Sequence, residues 1–397
     1  MTAKPLDGIV VLDLSRVLIG PFCTMMLCDM GATVIKVENP NGGDDSRAFG
    51  PFLEGKSLYF ASINRGKKSI TIDLKNEAGK KLLLDLAAKS DVLMENFRPG
   101  TMEKLGLGWD VLSKHNPRLI YAAASGYGHT GPYSTRPSYD ILAQAAGGIM
   151  GLTGWPDMPP TRVGVSMGDL VGALFTVIGI QAALAMREKT GCGQKVDIAM
   201  LDCMVALLEN ALVRYQVDGT SPQPLGNRHP TITPFQAVAA SDTHFVIAVG
   251  NDVLWEKFCK AIGHEGLLSD NRFATNPDRT QHIAELDRLL ADIFAGKTAR
   301  EWLDALEAAG IPCAPINKVA DIMQDPQIAA RNMIVSMQDP DIGTVQLAGS
   351  PLKLSGVEDE VTRPSAPRLS QHTDEILGQV LGLDATAIAA LREQGAL

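Results

Sequence analysis

Hydrophobic and polar positions alternate in two patterns along the first two hundred residues. Short runs rich in Val, Ile and Leu are typical of buried strands, and they lie at residues 8–14, 33–37, 69–74, 92–95, 119–125 and 195–198. Between them, segments with helical spacing of apolar positions lie at 21–30, 76–88, 140–150 and 201–213. This alternation predicts a mostly parallel sheet with helices on both faces.

The longest apolar segment begins near Asp169 and extends to Met186. Only Thr176 and Gln181 interrupt it, and it contains no Pro, so we predict a buried helix. Its glycines and its length argue against a membrane span. Asp169 would lie in the first helical turn, where free amides and the positive helix end favour an ionised carboxylate. Taken alone, it is most simply a helix cap.

Three glycines near this carboxylate favour a functional interpretation. Gly164, Gly168 and Gly172 place no side chain beside Asp169, so another molecule could approach it closely. A residue that only caps a helix needs no such clearance. Asp169 is therefore the first candidate for chemistry.

The chain changes character after residue 217. Residues 218–234 are dense in Gly and Pro and indicate a linker or loop. A smaller α+β unit follows at 235–324, with strands at 235–239 and 245–249 and helices at 252–262, 283–295 and 299–309. Residues 325–397 carry short strands and two short helices.

Composition limits the classes of function. The 397 residues are 45% hydrophobic and 20% charged with a net charge of −9, which indicates a globular protein of two or three domains and argues against nucleic-acid binding. Six cysteines without a C-x-x-C pair indicate reduced thiols rather than a metal site. The first residues lack an apolar segment, so we expect a cytoplasmic protein without a membrane anchor.

Polar segments follow several predicted strands. None is a G-x-G-x-x-G, P-loop or G-x-S-x-G motif, which argues against nicotinamide cofactors, P-loop nucleotide binding and a serine nucleophile. Open α/β sheets bind ligands at the carboxyl ends of their strands, and the Arg and Lys residues there suit a phosphorylated ligand. The segments are 42–47, 64–69, 95–100 and 125–140.

Several motifs in one order resemble the class III coenzyme A transferases, which include formyl-CoA transferase. They are Leu-Asp-Leu-Ser-Arg-Val at 12–17 with Gly-Pro at 20–21, then 31–38, Glu-Asn-Phe-Arg-Pro-Gly at 95–100, and 191–196. The resemblance runs from Leu6 beyond Leu352. It implies a homodimer of interlocked rings, each with a Rossmann-like large domain (1–217 and 325–397) and a small domain (235–324).

The resemblance also implies the reaction and its participants. Asp169 matches the family's nucleophile, which moves CoA from an acyl-CoA such as succinyl-CoA to a carboxylic acid through a mixed anhydride and an aspartyl-CoA thioester. A carboxylate ionised at neutral pH needs no general base for that attack. Acyl-CoA, a small carboxylic acid and a second copy of the chain are the implied partners; no permanent cofactor and no metal are implied.

Further site residues follow by matching motif positions. Lys104 would meet a CoA phosphate, although by itself it is an ordinary surface lysine. The residues implied for CoA binding are Val17, Leu18, Ile19, Ile72, Asn96, Phe97, Lys104, Leu105 and Tyr139.

Two departures from family patterns refine the substrate prediction. The related α-methylacyl-CoA racemases carry a catalytic His where this chain has Tyr139, which disfavours racemase activity. The run of glycines that covers oxalate in formyl-CoA transferase is replaced at 226–234, which favours a longer dicarboxylate. Arg47, Arg228 and His229 are its predicted contacts. A CoA-ester binder without catalysis remains a third alternative.

Overall fold

The computed structural model describes residues 3–397, which divide into two compact units. Unit 1 contains the chain through Ile149, then Arg162–Leu212 and Pro326–Leu397; unit 2 contains Met150–Thr161 and Val213–Asp325. The predicted domains differ from this division in four places. They assign 150–161, 213–217 and residue 325 to the large domain and separate 218–234 as a linker, whereas all four belong to unit 2.

Unit 1 is built on a six-stranded parallel sheet. Its strands run in the order β5-β2-β1-β6-β7-β8, while β3 and β4 form a separate hairpin. The bounds are β1 (Val10–Asp13), β2 (Thr33–Glu38), β3 (Phe52–Leu53), β4 (Lys56–Ser57), β5 (Lys68–Thr71), β6 (Val92–Glu95), β7 (Ile120–Ser125) and β8 (Lys195–Ala199). Counted along the sheet this is the Rossmann strand order, which reverses between β1 and β6. The predicted parallel α/β class is confirmed.

Ten α-helices lie between residues 19 and 218. They are α1 (Ile19–Asp29), α2 (Leu58–Asn64), α3 (Glu77–Ala87), α4 (Thr101–Lys104), α5 (Trp109–His115), α6 (Asp140–Ala146), α7 (Ile149–Leu152), α8 (Met167–Thr190), α9 (Met200–Ala206) and α10 (Ala211–Asp218). Most of α7 and of α10 falls in unit 2. The segment predicted as one helix at 140–150 is two, because Gly147 and Gly148 separate α6 from α7 and Gly148 has φ +86°.

Unit 2 has its own sheet and core. Strands β9 (Phe235–Ala239), β10 (His244–Ala248) and β11 (Cys313–Pro315) form an antiparallel sheet in the order β11-β10-β9. Its helices are α11 (Asp252–Ala261), α12 (Asn276–Gln281), α13 (Ile283–Phe294), α14 (Ala299–Ala308) and α15 (Val319–Ile322). The aromatic residues Phe245, Phe258, Phe294 and Trp302 form the centre of this core.

The chain then returns to unit 1. Helix α16 (Pro326–Ala330) precedes β12 (Ile334–Asp339), β13 (Gly343–Ala348) and β14 (Thr362–Arg363), which form a second small sheet in a segment predicted to be mostly irregular. The last helices are α17 (Thr373–Leu381) and α18 (Ala385–Glu393). Ile376, Leu377 and Ile388 of these helices join the core on one face of the parallel sheet.

Both faces of the parallel sheet are buried. Val11 of β1 packs with one hydrophobic cluster and the next residue, Leu12, with the other, since successive side chains of a strand point to opposite faces. Near-continuous hydrophobic strands are what a doubly covered parallel sheet requires. The same property made these strands recognisable in the sequence.

Helix α8 is buried on one side only. Val177, Ile180 and Leu184 pack into the core, whereas the outer side exposes Leu174, Phe175, Ile178 and Met186. Among residues 3–397 it is the one helix long and apolar enough to cross a bilayer, and 39% of its apolar window is buried. The prediction of a buried helix is therefore confirmed for the side that packs on the core and wrong for the exposed side.

Candidate active site

A cavity of about 180 Å³ opens in unit 1 where the strand order reverses. Four chain segments line it: the turn after β1 (16–19), the turn after β6 (96–99), the end of β7 (124–126) and residues 136–139. Asp45, Asp169 and Met200 complete the lining. Doubly wound sheets bind ligands at this position, outside the carboxyl ends of the strands.

Asp169 is half-buried on the first turn of α8. Its carboxylate makes no hydrogen bond or ion pair with residues 3–397, so the simple explanation of Asp169 as a helix cap does not hold. Burial, and secondarily the charge of Asp140, raises the pKa of Asp169 to about 7. The sequence-based expectation of a fully ionised carboxylate at neutral pH is therefore wrong for the ligand-free chain.

Asp140 explains why the helix end does not stabilise the Asp169 charge. Its Oδ1 accepts a hydrogen bond from the Gly168 N–H (2.7 Å), and its Oδ2 accepts one from Gln144 Nε2 (2.8 Å). The residue at the N-cap position, Ser166, makes no side-chain cap bond. A carboxylate from α6 thus caps α8, and its charge lies close to Asp169.

The glycines near Asp169 have different roles. A Cβ on Gly172 would lie 2.6 Å from Ile19 Cδ1, and one on Gly168 would lie 3.2 Å from Asp140 Oδ1, so both glycines allow close packing of α8. Only Gly164 has open space around it. The predicted clearance around the carboxylate therefore rests on Gly164 alone among the three.

The turn after β1 is held in an unusual conformation. Val17 has φ +68°, a region that β-branched residues rarely occupy. The Val17 N–H donates to Asp44 Oδ1 (3.0 Å), and Asp44 is paired with Lys36 (2.8 Å), whose Nζ also donates to the Ser15 carbonyl (2.9 Å). Strained residues cluster at ligand sites where their surroundings enforce them. Val17, Leu18 and Ile19 all line the cavity, as predicted for CoA binding.

Behind this turn lies a fully buried ion pair. Lys67 Nζ donates to Asp13 Oδ2 (2.9 Å), to the Pro21 carbonyl (2.9 Å) and to Asn64 Oδ1 (2.8 Å). Burial opposes ionisation of Asp13, but Lys67 and Lys36 outweigh it and hold the pKa of Asp13 far below its usual value. The pair fixes the end of β1 from which the turn departs.

The turn after β6 is connected to the turn after β1 by Asn96. Asn96 Oδ1 accepts from the Arg16 N–H (2.9 Å), and Asn96 Nδ2 donates to the Arg16 carbonyl (2.8 Å). The side chain predicted to bind CoA therefore joins two turns that line the cavity. Phe97 also lines the cavity, and its ring lies 6.0 Å from the Arg16 guanidinium.

Three residues predicted for CoA binding do not line the cavity. Ile72 is 1% exposed and packs in the core, so its side chain is not available to a ligand. Leu105 also packs against that core, and Lys104 is exposed at the end of α4. Tyr139 does line the cavity and is 73% exposed.

The predicted acceptor contacts lie in different parts of the chain. Arg47 is already occupied, because its guanidinium pairs with Glu38 (2.7 Å) and donates to the Pro367 carbonyl, so we withdraw it as a substrate contact. In unit 2, His229 Nδ1 accepts the N–H groups of Thr231 and Ile232. Arg228 is half-buried at a cavity of about 500 Å³ within unit 2.

Sequence reasoning did not name four residues that shape this site. Arg16, Arg98 and Arg136 line the cavity and supply positive charge beside it. Arg16 and Arg98 lie in motifs that resemble the family, and Arg98 and Arg136 lie in the polar segments that follow strands, but none of the three was assigned to the site. Burial, and secondarily the charges of Asp169, Asp44 and Asp140, raise the pKa of Tyr59 to about 12, so Tyr59 is electrostatically coupled to the nucleophile candidate. Nothing in the sequence around Tyr59 indicates this.

The sequence profile of CoA-transferase family III matches residues 6–373. The chain belongs to this family. It is 45% identical over 368 residues to the acetyl-CoA:oxalate CoA-transferase of Acetobacter aceti, covering 92% of this chain and 93% of that protein. It is 39% identical over 395 residues to the succinyl-CoA:glutarate CoA-transferase of Mus musculus, covering 99% of this chain and 90% of that protein.

Solved structures show the same fold in relatives. A CAIB/BAIF family protein from Brucella suis superposes with a TM-score of 0.84 at 42% identity, covering 95% of this chain and all of that one. The resemblance drawn from the sequence motifs is thereby confirmed. The relatives of this chain thus include a protein that is named for oxalate as well as proteins that are named for longer dicarboxylic acids.

Proposed function

We propose that this chain is an acyl-CoA:carboxylate CoA-transferase whose covalent intermediates form on Asp169. The observation that carries the proposal is the position of Asp169: it is a half-buried carboxylate without a partner in residues 3–397, and it lines the cavity at the switch point of the sheet. Arg98 and Arg136 around the same cavity suit the phosphates of CoA, whereas Arg16 is paired with Asp45 (2.9 Å).

The reaction follows from this arrangement. An Asp169 oxygen attacks the thioester carbonyl, the C–S bond breaks, and a mixed anhydride and the CoA thiolate result. The thiolate attacks the aspartyl carbonyl, which releases the donor acid and leaves an aspartyl-CoA thioester. The acceptor carboxylate repeats both steps in reverse and leaves as its CoA ester, restoring Asp169.

The direct test is to trap the intermediate. Hydroxylamine added during turnover should modify Asp169, as measured by mass spectrometry of peptides. Asp169→Asn should lower transfer by several orders of magnitude, and Asp169→Glu should also fail because the attacking oxygen is displaced. Asp110→Asn, at an exposed aspartate in the first turn of α5, is the matched control and should retain transfer. Wild-type transfer by Asp169→Asn would refute the mechanism.

A dicarboxylate is the proposed acceptor class. Several relatives at 37–45% identity carry names with dicarboxylic acids, glutarate among them. Arg228 makes no ion pair within residues 3–397 and is free to bind a carboxylate. Arg228→Ala should raise the Michaelis constant for dicarboxylic acceptors and leave that for the acyl-CoA donor unchanged. An equal effect on monocarboxylic acceptors would contradict this role.

A homodimer, with interlocked rings, is proposed from the outer side of α8. Leu174, Phe175, Ile178 and Met186 lie on one side of the helix and are exposed in the single chain. Contiguous exposed apolar surface of this kind marks an interaction site. Sedimentation should give a dimer; Ile178→Glu should dissociate it, and Lys189→Glu at the polar end of the same helix should not. A folded, active wild-type monomer would contradict the proposal.

The alternative partner for that apolar side is a lipid bilayer. We propose that the protein is cytoplasmic and does not insert into a membrane, because the opposite side of the same helix forms part of a protein core. Fractionation should recover the chain without detergent, and recovery only in membranes would contradict this.

An acyl-CoA racemase is a further alternative. Incubation of the acyl-CoA with the protein in deuterated water, without an acceptor acid, should give no exchange at the α-carbon if the protein is a transferase.

A further inference from the structure

Glu95 is a buried carboxylate beside the cavity that the proposed chemistry does not use. It is the last residue of β6 and is 2% exposed. Its Oε2 accepts a hydrogen bond from the Phe97 N–H (2.7 Å), and its Oε1 accepts one from the Tyr121 hydroxyl (3.0 Å). Glu95 therefore fixes the backbone of the turn that follows it.

His129 faces Glu95 from the loop after β7. Its Nε2 is buried, lies 3.8 Å from Glu95 Oε1 and has no hydrogen-bond partner within residues 3–397. Its Nδ1 lies 3.0 Å from Lys195 Nζ of β8, so Nδ1 is the acceptor and Nε2 carries the proton. Asp197 accepts the His129 backbone N–H.

The remaining charge near Glu95 is on Glu103 of α4, which is exposed. Burial raises the pKa of Glu95 to about 7, even though Phe97, Tyr121 and Lys195 favour its ionised form. Glu95 therefore changes its charge in the range where the protein would work.

We propose that Glu95 is a positioning residue for CoA esters: its ionised carboxylate holds the Asn96–Phe97 turn in the shape that binds CoA. The effect extends to the turn after β1, because the Asn96 side chain forms hydrogen bonds with both the N–H and the carbonyl of Arg16. Protonation of Glu95 therefore weakens binding at both turns. The inference rests on the proposed function in so far as the cavity takes CoA.

The hydrogen-bond pattern favours the ionised form. The carboxylate accepts from both the Phe97 N–H and the Tyr121 hydroxyl, and a hydrogen bond to an ionised acceptor is stronger than one to a neutral acceptor. On protonation the Tyr121 hydroxyl can become the acceptor, which keeps that contact in the reverse direction, but the Phe97 N–H then bonds a neutral oxygen. Protonation therefore weakens the hydrogen bond that fixes the backbone of the turn.

Simple Coulomb attraction predicts the opposite sign. CoA is a polyanion, so removing the negative charge of Glu95 should strengthen binding if charge were all that mattered. The positioning role predicts weaker binding when the charge is lost. The direction of the change therefore separates the two explanations.

The test measures the dissociation constant of free CoA by calorimetry at about pH 6 and about pH 8. The parent chain carries Asp169→Asn, so that titration of Asp169 does not contribute. Glu95→Gln keeps the shape of the side chain but cannot ionise, and Glu103→Gln removes a neighbouring charge without touching the turn. The phosphate titration of CoA is common to all variants and cancels in the comparison.

At about pH 8, Glu95→Gln should weaken CoA binding severalfold, because the charge-assisted hydrogen bond from the Phe97 N–H becomes a neutral one. The parent should lose a similar factor on going to about pH 6, whereas Glu95→Gln should change little. Glu103→Gln should stay within about twofold of the parent. With Asp169 restored, Glu95→Gln should raise KM for the donor far more than it lowers kcat.

Tyr121→Phe gives an independent readout if Glu95→Gln folds poorly by circular dichroism. It removes one donor from the carboxylate, so the pH midpoint of CoA binding should move upward. Equal or tighter binding by Glu95→Gln, or an unmoved midpoint in Tyr121→Phe, overturns the proposal. A parent that binds no CoA at either pH overturns the proposed function, and the positioning role with it.

Discussion

The contact between Asp140 and the start of α8 predicts how the reaction depends on pH. Asp140 is 8% exposed, caps the Gly168 amide and adds its charge to the desolvation that raises the pKa of Asp169. Replacing it with Asn keeps an oxygen for the Gly168 N–H and removes the charge. The acid limb of the rate should therefore move to lower pH.

The size of the effect follows from the pKa of about 7. With that value, Asp169 is ionised in about half of the molecules at neutral pH, roughly a tenth at pH 6 and roughly nine tenths at pH 8. Wild-type donor cleavage should fall about tenfold between pH 8 and pH 6. Loss of a neighbouring charge moves a pKa by about one unit, so Asp140→Asn should fall only about twofold.

The assay is the single-turnover rate of donor cleavage at saturating acyl-CoA, where affinity for CoA, and with it the titration of Glu95, does not enter. Asp110→Asn is the matched control, because Asp110 is an exposed aspartate in the first turn of another helix, α5, and does not contribute to the Asp169 pKa. It should leave the midpoint unchanged. A wild-type rate that is flat from pH 6 to pH 8, or an unmoved midpoint in Asp140→Asn, would refute the reasoning.

Two further predictions concern lysines. Lys104→Ala should raise KM for CoA esters severalfold with little change in kcat, because a phosphate contact is made equally in ground and transition states; a change in kcat alone would assign Lys104 another role. Lys67→Met strands the buried Asp13 charge and should destabilise the fold by about 3–5 kcal/mol, measured as a shift of the urea midpoint. Lys68→Met, which removes a partly exposed pair with Glu375, is the control and should cost less than about 1 kcal/mol.

Sequence reasoning succeeded where neighbouring residues decide the structure. The strands of the parallel sheet were recognisable because both of their faces are buried, and α8 was recognisable from its unbroken apolar run. Asp169 stood out because a single carboxylate precedes that run. These features depend on local composition, which the sequence displays directly.

The contacts that shape the site were not predictable in the same way. Asp140 caps an amide 28 residues away, and Asn96 bonds a backbone 80 residues away, so neither partner could be identified without the fold. From the sequence, Asp140 is equally well explained as the first residue of its own helix, and Asn96 as a ligand contact. The sequence gives no reason to choose the observed roles over these. Burial is the main cause of the raised pKa of Asp169, and the first of these contacts places the charge of Asp140 where it adds to that effect.

Asp169 and the uncovered apolar side chains belong to one rigid element. Helix α8 has 24 residues and is therefore about 36 Å long, with the carboxylate at its tip and Leu174, Phe175 and Ile178 within three turns of it. A partner that covers the outer side of this helix also determines the direction in which its N-terminal end, with Asp169, points. Ile178→Glu on the outer side should then lower turnover while far-UV circular dichroism still reports an intact helix, so a surface away from the cavity becomes a control on catalysis.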